Sequence, residues 1–178
     1  NHTLQWYGTN ATGGTASTTA PTPSTTTAGI TIYYVSQENN TTGCESARAA
    51  ITVTINGLPS LPAVTNVSYC LNATATALTA TATSGNTLQW YGTNSTGGTA
   101  STVAPVPSTN TAGTITYYVS QKNNTTNCES ARASITVTVN SLPGLPGVSD
   151  YSYCQNTTAS QLTATATSGH TLRWYGTN

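Results

Sequence analysis

The sequence predicts an all-β chain built of tandem sandwich domains, and three observations carry that reading. Thr is the commonest residue, 41 of 178, and as a β-branched side chain it favours strands. Strong helix formers are scarce: Met is absent, Lys occurs once, and Ala mostly alternates with Thr, as in Thr79-Ala80-Thr81-Ala82-Thr83. The third observation is a repeat. Trp6, Trp90 and Trp174 are spaced 90−6 = 84 and 174−90 = 84 residues apart, Cys44 to Cys128 and Cys70 to Cys154 give the same 84, and residues 1–84 match 85–168 at about 60 of 84 positions. An 84-residue period exceeds that of short solenoid repeats and approaches the ~100 residues of a sandwich domain, so each copy can hold its own core.

Boundaries fall at the Pro-rich stretch Gly57-Leu58-Pro59-Ser60-Leu61-Pro62 and its copy Ser141-Leu142-Pro143-Gly144-Leu145-Pro146, where Pro interrupts strand pairing and stiffens the link. The expected organisation is the C-terminal part of one repeat over 1–57, a complete repeat over 58–141 and the N-terminal part of a third over 142–178. There is no initiator Met, signal-like leader or apolar run near 18 residues, so the chain reads as an internal piece of a longer secreted protein with no membrane span in this segment.

Within the complete copy, residues alternate as in half-buried strands. Leu78, Ala80 and Ala82 share one face with Thr79, Thr81 and Thr83 on the other. Leu88 and Trp90 oppose Gln89 and Tyr91; Ile135, Val137 and Val139 oppose Ser134, Thr136 and Thr138. Gly97-Gly98, Pro105-Val106-Pro107, Ala112-Gly113 and the run 123–127 supply turns, leaving room for about seven strands. Thr116-Tyr117-Tyr118-Val119 resembles strand F of an immunoglobulin-like sandwich, with Tyr117 as the corner tyrosine bonding back to the backbone. Trp90 then stands in for the buried strand-C tryptophan, and the expected core is Leu78, Leu88, Trp90, Tyr117 and Val119.

Charge excludes several functions. Four Lys+Arg balance four Asp+Glu and only 4% of positions are charged, so no basic patch exists to neutralise nucleic-acid phosphates. Paired titratable groups for acid–base catalysis are missing, as are Gly-rich phosphate loops, nucleophile elbows and acidic calcium loops. No enzyme activity, catalytic residue, metal or cofactor is expected.

Each repeat carries two Cys, an even count that in a secreted chain reads as disulfides. Pairing Cys70 with Cys128 closes a loop of 128−70 = 58 residues and stabilises by ~4 kcal/mol in the chain-entropy model. It leaves Cys44 and Cys154 to pair outside the fragment and needs the first strand to run beside the start of the last. The alternative pairs Cys44 with Cys70 and Cys128 with Cys154 across each linker.

Other singular residues read as surface. His2 and His170, with Asn86 between them in the period, are turn residues beside the Trp strand. Glu45 and Glu129 precede Arg48 and Arg132 by three positions, which on a strand places them on opposite faces as solvated charges. Tyr91, Tyr34 and Tyr118 fall on the outward face; Tyr91 is the candidate for stacking on a sugar ring, against a plain reading of cross-strand packing.

Together, Leu-Gln-Trp-Tyr-Gly-Thr-Asn, Gly-Gly-Thr-Ala-Ser, Ala-Pro-x-Pro-Ser-Thr, Tyr-Tyr-Val-Ser-Gln and Cys-Glu-Ser-Ala-Arg resemble the immunoglobulin-like repeats of very large surface proteins of Bacteroidota. The resemblance covers the whole chain and is nearest to gliding-motility adhesins, although multidomain polysaccharide-degrading enzymes carry such repeats too. It implies export by the type IX secretion system and display at the cell surface, attached to the outer membrane. The expected function is the stalk of an adhesin for attachment or gliding; the alternatives are a carbohydrate-binding module or an enzyme's spacer. Expected partners are neighbouring repeats, extracellular surfaces or polysaccharide, and the secretion machinery during export.

Overall fold

The computed structural model describes residues 1–176; residues 177–178, the end of the expected third segment, lie outside them. All regular structure among the described residues is β. Strands β1 (His2–Trp6), β2 (Gly29–Asn39) and β3 (Ala49–Ile55) form an antiparallel sheet in the order β1-β2-β3. Next along the chain come β4 (Ala63–Val64), β5 (Val67–Cys70), β6 (Ala80–Thr81), β7 (Asn86–Trp90), β8 (Gly113–Asn123) and β9 (Ala133–Asn140). They make a two-stranded sheet β4-β6 and a four-stranded sheet β5-β9-β8-β7, in which β5 runs parallel to β9. A last short pair joins β10 (Gly147–Val148) to β11 (Ala164–Thr165).

The repeat holds at the level of register. His2 faces Asn39 as Asn86 faces Asn123, and Gly29 faces Ile55 as Gly113 faces Val139, each member displaced by 84. The turns repeat as well. In the β8–β9 hairpin the Asn123 side-chain carbonyl accepts the backbone N–H groups of Thr125 (3.0 Å) and Thr126 (2.9 Å), and Asn127 closes the turn at φ 59°. The corresponding Gly43 sits at φ 69°. Gly and Asn interchange here because both tolerate the left-handed region.

Leu78, Trp90, Val119, Ala133, Ile135 and Val137 form the buried cluster, with Leu88, Tyr117, Val64, Val67, Tyr69, Ala80 and Ala104 packed against it. The Tyr117 ring contributes to this packing, but its hydroxyl makes no hydrogen bond among the described residues, so the expected corner contact to the backbone is absent. Alternation along β9 accounts for its central place: Ile135, Val137 and Val139 are buried and Ser134 exposed. In the first sheet the same positions are open. Ile51 is 40% exposed where Ile135 is 0%, because neither a strand beside β3 nor a second sheet over its face is present among the described residues.

Two expectations are corrected. Residues 58–141 hold six strands rather than about seven, and the strand expected over Leu78–Thr83 contracts to β6. Proline is the reason. The segment opposite is the long loop 91–112, whose Pro105 carbonyl accepts the Leu78 N–H (2.9 Å) and whose Thr109 carbonyl accepts that of Asn72 (2.9 Å). Pro105 and Pro107 have no N–H to return, so docking proceeds without a regular ladder.

The Cys70–Cys128 pairing is corrected too, by where the strands place the two residues, and no two of the four cysteines are bonded to each other among the described residues. Cys70 faces Asn140 at the far end of β9, whereas Cys128 precedes the start of that strand at Ala133. At ~3.3 Å per residue, the 140−133 = 7 steps between alone separate them by about 23 Å, against a limit near 7 Å between the Cα atoms of a disulfide. The alternative pairing across each linker, Cys44 with Cys70 and Cys128 with Cys154, is not formed among the described residues either.

Candidate functional site

The Trp strand ends by dividing its last two rings between the faces of the sheet. Trp90 turns into the core at 3% exposure, and Tyr91 turns outward. Beyond β7 the chain stays beside β8, with Tyr91 N–H donating to Tyr118 O (3.0 Å) and Tyr118 N–H to Gly92 O (2.8 Å). Gly92, at φ 58°, then bends the backbone into the loop.

Tyr91 is nevertheless only 9% exposed, with Arg132 over its ring and Glu129 on its hydroxyl. The Arg132 guanidinium lies 3.3 Å from the centre of its ring. Its hydroxyl donates to Glu129 Oε1 at 2.5 Å, and the same oxygen accepts the hydroxyl of the fully buried Ser120 at 2.5 Å. Arg132 continues into the loop, donating from Nη1 to Asn94 O (2.6 Å) and from Nη2 to Gly97 O (2.7 Å). One arginine thereby covers the tyrosine and holds the Gly-Gly turn.

The first sheet contains the same lock. Arg48 lies 3.3 Å from the Tyr7 ring centre, Tyr7 donates to Glu45 Oε1 at 2.5 Å, Ser36 donates to that oxygen, and Arg48 Nη1 reaches Asn10 O at 2.7 Å. These contacts form although, among the described residues, the first sheet has no counterpart of the strands that complete the second, so the lock is local to the β-hairpin and the Trp strand.

Electrostatics favour holding over chemistry. Burial pushes the Glu129 carboxyl up, but the Ser120 and Tyr91 hydroxyls and the charges of Arg132 and Lys122 outweigh it, leaving the group below the usual carboxylate range. Burial, then the bond to Glu129 and its charge, pushes the Tyr91 phenol up. In the first lock the Ser36 and Tyr7 hydroxyls bring Glu45 down. A carboxylate held ionised beside a phenol held neutral, with the ring capped, leaves neither an acid nor a base poised near neutral pH.

A second cluster fixes the linker. Gln121 is fully buried, and its Nε2 donates to Ser60 O at 2.7 Å and to Ser60 Oγ at 3.3 Å. Its Oε1 accepts from Thr83 N–H at 2.7 Å and Thr83 Oγ1 at 3.2 Å. The Pro-rich linker is thus docked on the domain it enters.

Leu78, Trp90 and Val119 lie in the buried cluster, with Leu88 and Tyr117 against it. Tyr34 and Tyr118 are half-buried, and Asn86 donates to Thr83 Oγ1 at 2.6 Å as a turn residue does. Tyr91 is corrected: with its ring under Arg132 and its hydroxyl on Glu129, it offers no face to a sugar. Glu129 and Arg132, expected as solvated charges on opposite strand faces, both precede β9, where strand alternation does not apply. The readable signal was the joint recurrence of Trp-Tyr, Tyr-Val-Ser-Gln and Glu-Ser-Ala-Arg at one period.

An all-β unit with a tryptophan core and a parallel edge strand has the architecture of an immunoglobulin-like domain. The family model described as "Ig-like domain CHU_C associated" matches residues 1–56 and 59–141, and the chain belongs to that family. No curated protein matches the chain.

Proposed function

We propose that the chain is a stalk segment of a large bacterial cell-surface adhesin, a non-catalytic spacer that holds an adhesive part away from the cell for attachment or gliding. On this reading it is exported by the type IX system and attached to the outer membrane. Its repeats run over 1–57, 58–141 and 142–178, and its chief partners are neighbouring repeats.

The observation that carries the reading is the docked linker. Gln121 binds the Ser60 backbone from inside the domain, which favours a defined angle between consecutive units over a free hinge. Duplication of the Tyr–Glu–Arg lock supports it further, since the most elaborate polar cluster in each copy is spent on internal contacts. The enclosure of Tyr91 speaks against the carbohydrate-binding alternative.

Brief protease treatment of intact cells tests the proposal. A ladder of bands spaced by one repeat, from a parent of hundreds of kilodaltons and accompanied by lost attachment or gliding, is the expected result. A smaller parent bearing a hydrolase domain, with attachment untouched, makes these repeats an enzyme's spacer and overturns the adhesin reading.

A further inference from the structure

We infer that the two cysteines of this repeat belong to one disulfide joining consecutive repeats: the thiol at position 70 of one unit bonds to the thiol at position 128 of the next. The inference rests on the tandem-array reading, and two observations made at opposite ends of the complete unit carry it. Cys128 Sγ lies 4.0 Å from the backbone oxygen of Asn56, the residue that follows β3. Cys70 is the Cα partner of Asn140, the last residue of β9. Asn56 and Asn140 are the same position of the repeat, because 140−56 = 84.

Both thiols therefore converge on one residue of the period. The strand that completes β3 as β5 completes β9 carries its cysteine beside Asn56, where Cys128 already sits. Adjacent strands place facing Cα atoms about 5 Å apart, so a cysteine there and Cys128 are both immediate neighbours of Asn56, the proximity that a disulfide requires. The pairing also accounts for the four cysteines having no cysteine partner among the described residues. The partner of Cys70 lies at 128+84 = 212 and that of Cys128 lies 84 residues before Cys70, both outside residues 1–178, and the same displacement applies to Cys154 and Cys44.

In forming the bond, two thiols lose two protons and two electrons. A disulfide of an oxidising thiol–disulfide oxidoreductase, or glutathione disulfide in vitro, accepts them and is cleaved to two thiols. The product is a second covalent tie at each junction, alongside the peptide linker.

The test uses the 178-residue chain extended by a second copy of residues 95–141, which continues the period because 95+84 = 179. Cys128→Ser makes the appended thiol the only one preceded by Asn and followed by Glu-Ser-Ala-Arg, since Cys44 in the same motif is preceded by Gly43. After oxidation with glutathione disulfide, non-reducing peptide mapping is expected to link the Tyr69-Cys70 peptide to the appended Asn-Cys-Glu-Ser-Ala-Arg peptide, which Cys44, preceded by Gly43, does not share. Cys70 left free, or joined elsewhere, with Trp90 fluorescence still that of a buried ring, overturns the inference. A second measurement avoids the substitution. The parent protein cut in its linkers is expected to stay together until reductant is added, and separation into single repeats without reductant overturns the bond. Because the parent's size is read in the same gel, a failed array reading is distinguishable from a failed disulfide.

Discussion

Arg132 stands over Tyr91, guanidinium to ring centre 3.3 Å, and the same side chain donates to Asn94 O and Gly97 O in the loop beyond. Stacking and two charge-assisted hydrogen bonds come from one residue, so its removal acts on both. Arg132→Ala is expected to lower the stability of the complete domain by about 1–3 kcal/mol, read from the urea midpoint. Arg132→Lys recovers only part of this, because an ammonium lacks the planar fork that spans two carbonyls.

Stability should depend on pH at both ends of the scale. The Glu129 carboxyl is lowered in the folded state, so its contribution is present above the unfolded carboxylate value near pH 4.3 and disappears as pH falls through the lower folded value. Tyr91 is raised, so its contribution is whole below about pH 10 and disappears as pH rises through the higher folded value. Urea titrations from pH 3 to pH 11 are expected to show a plateau between these limits. Glu129→Gln should flatten the acid limb for the complete domain, leaving the limb due to Glu45, which is also lowered.

The linker contact has its own signature. Gln121→Ala removes the donor to Ser60 O and leaves the Thr83 N–H without its acceptor, a loss of about 1–3 kcal/mol. Cleavage between residues 57 and 62 is expected to accelerate by more than the change in global stability explains. Equal changes in both mean that the linker is not held by this glutamine.

Trp90→Ala is expected to cost about 3–5 kcal/mol and unfold a domain of ordinary stability. Trp6→Ala in the same chain should cost less, because Trp6 is only half-buried. Separate thermal scans of the two variants measure the difference, and equal losses contradict the view that β4 to β6 complete the core.

Fold class and core were legible because the alternation of Leu88 with Trp90 and of Ile135 with Val137 and Val139 states which face is buried. Less legible was the partner of each strand. Alternation marks a face but not the direction of a neighbour, and β5 lies parallel to β9, which places Cys70 beside the end of that strand instead of its beginning. Residues Leu78–Thr83 looked like a full strand from their own pattern. Their neighbour is a proline segment that accepts hydrogen bonds and returns few. The Tyr91 lock escaped for a similar reason: it joins residues 38 positions apart through side chains on irregular backbone, where neither a helical nor a strand period applies.

The parallel pairing of β5 with β9 also decides how a unit answers to tension. Force arrives through the linker ahead of β5 and leaves through the chain after β9, so the two strands are drawn past each other along their length. The pairs Val67–Val137, Ser68–Thr138, Tyr69–Val139 and Cys70–Asn140 then bear load together, in shear. A hairpin opened from its end yields one pair at a time. A ladder loaded in shear must lose its hydrogen bonds almost at once, so even four pairs form a mechanical clamp against a pull applied along the chain.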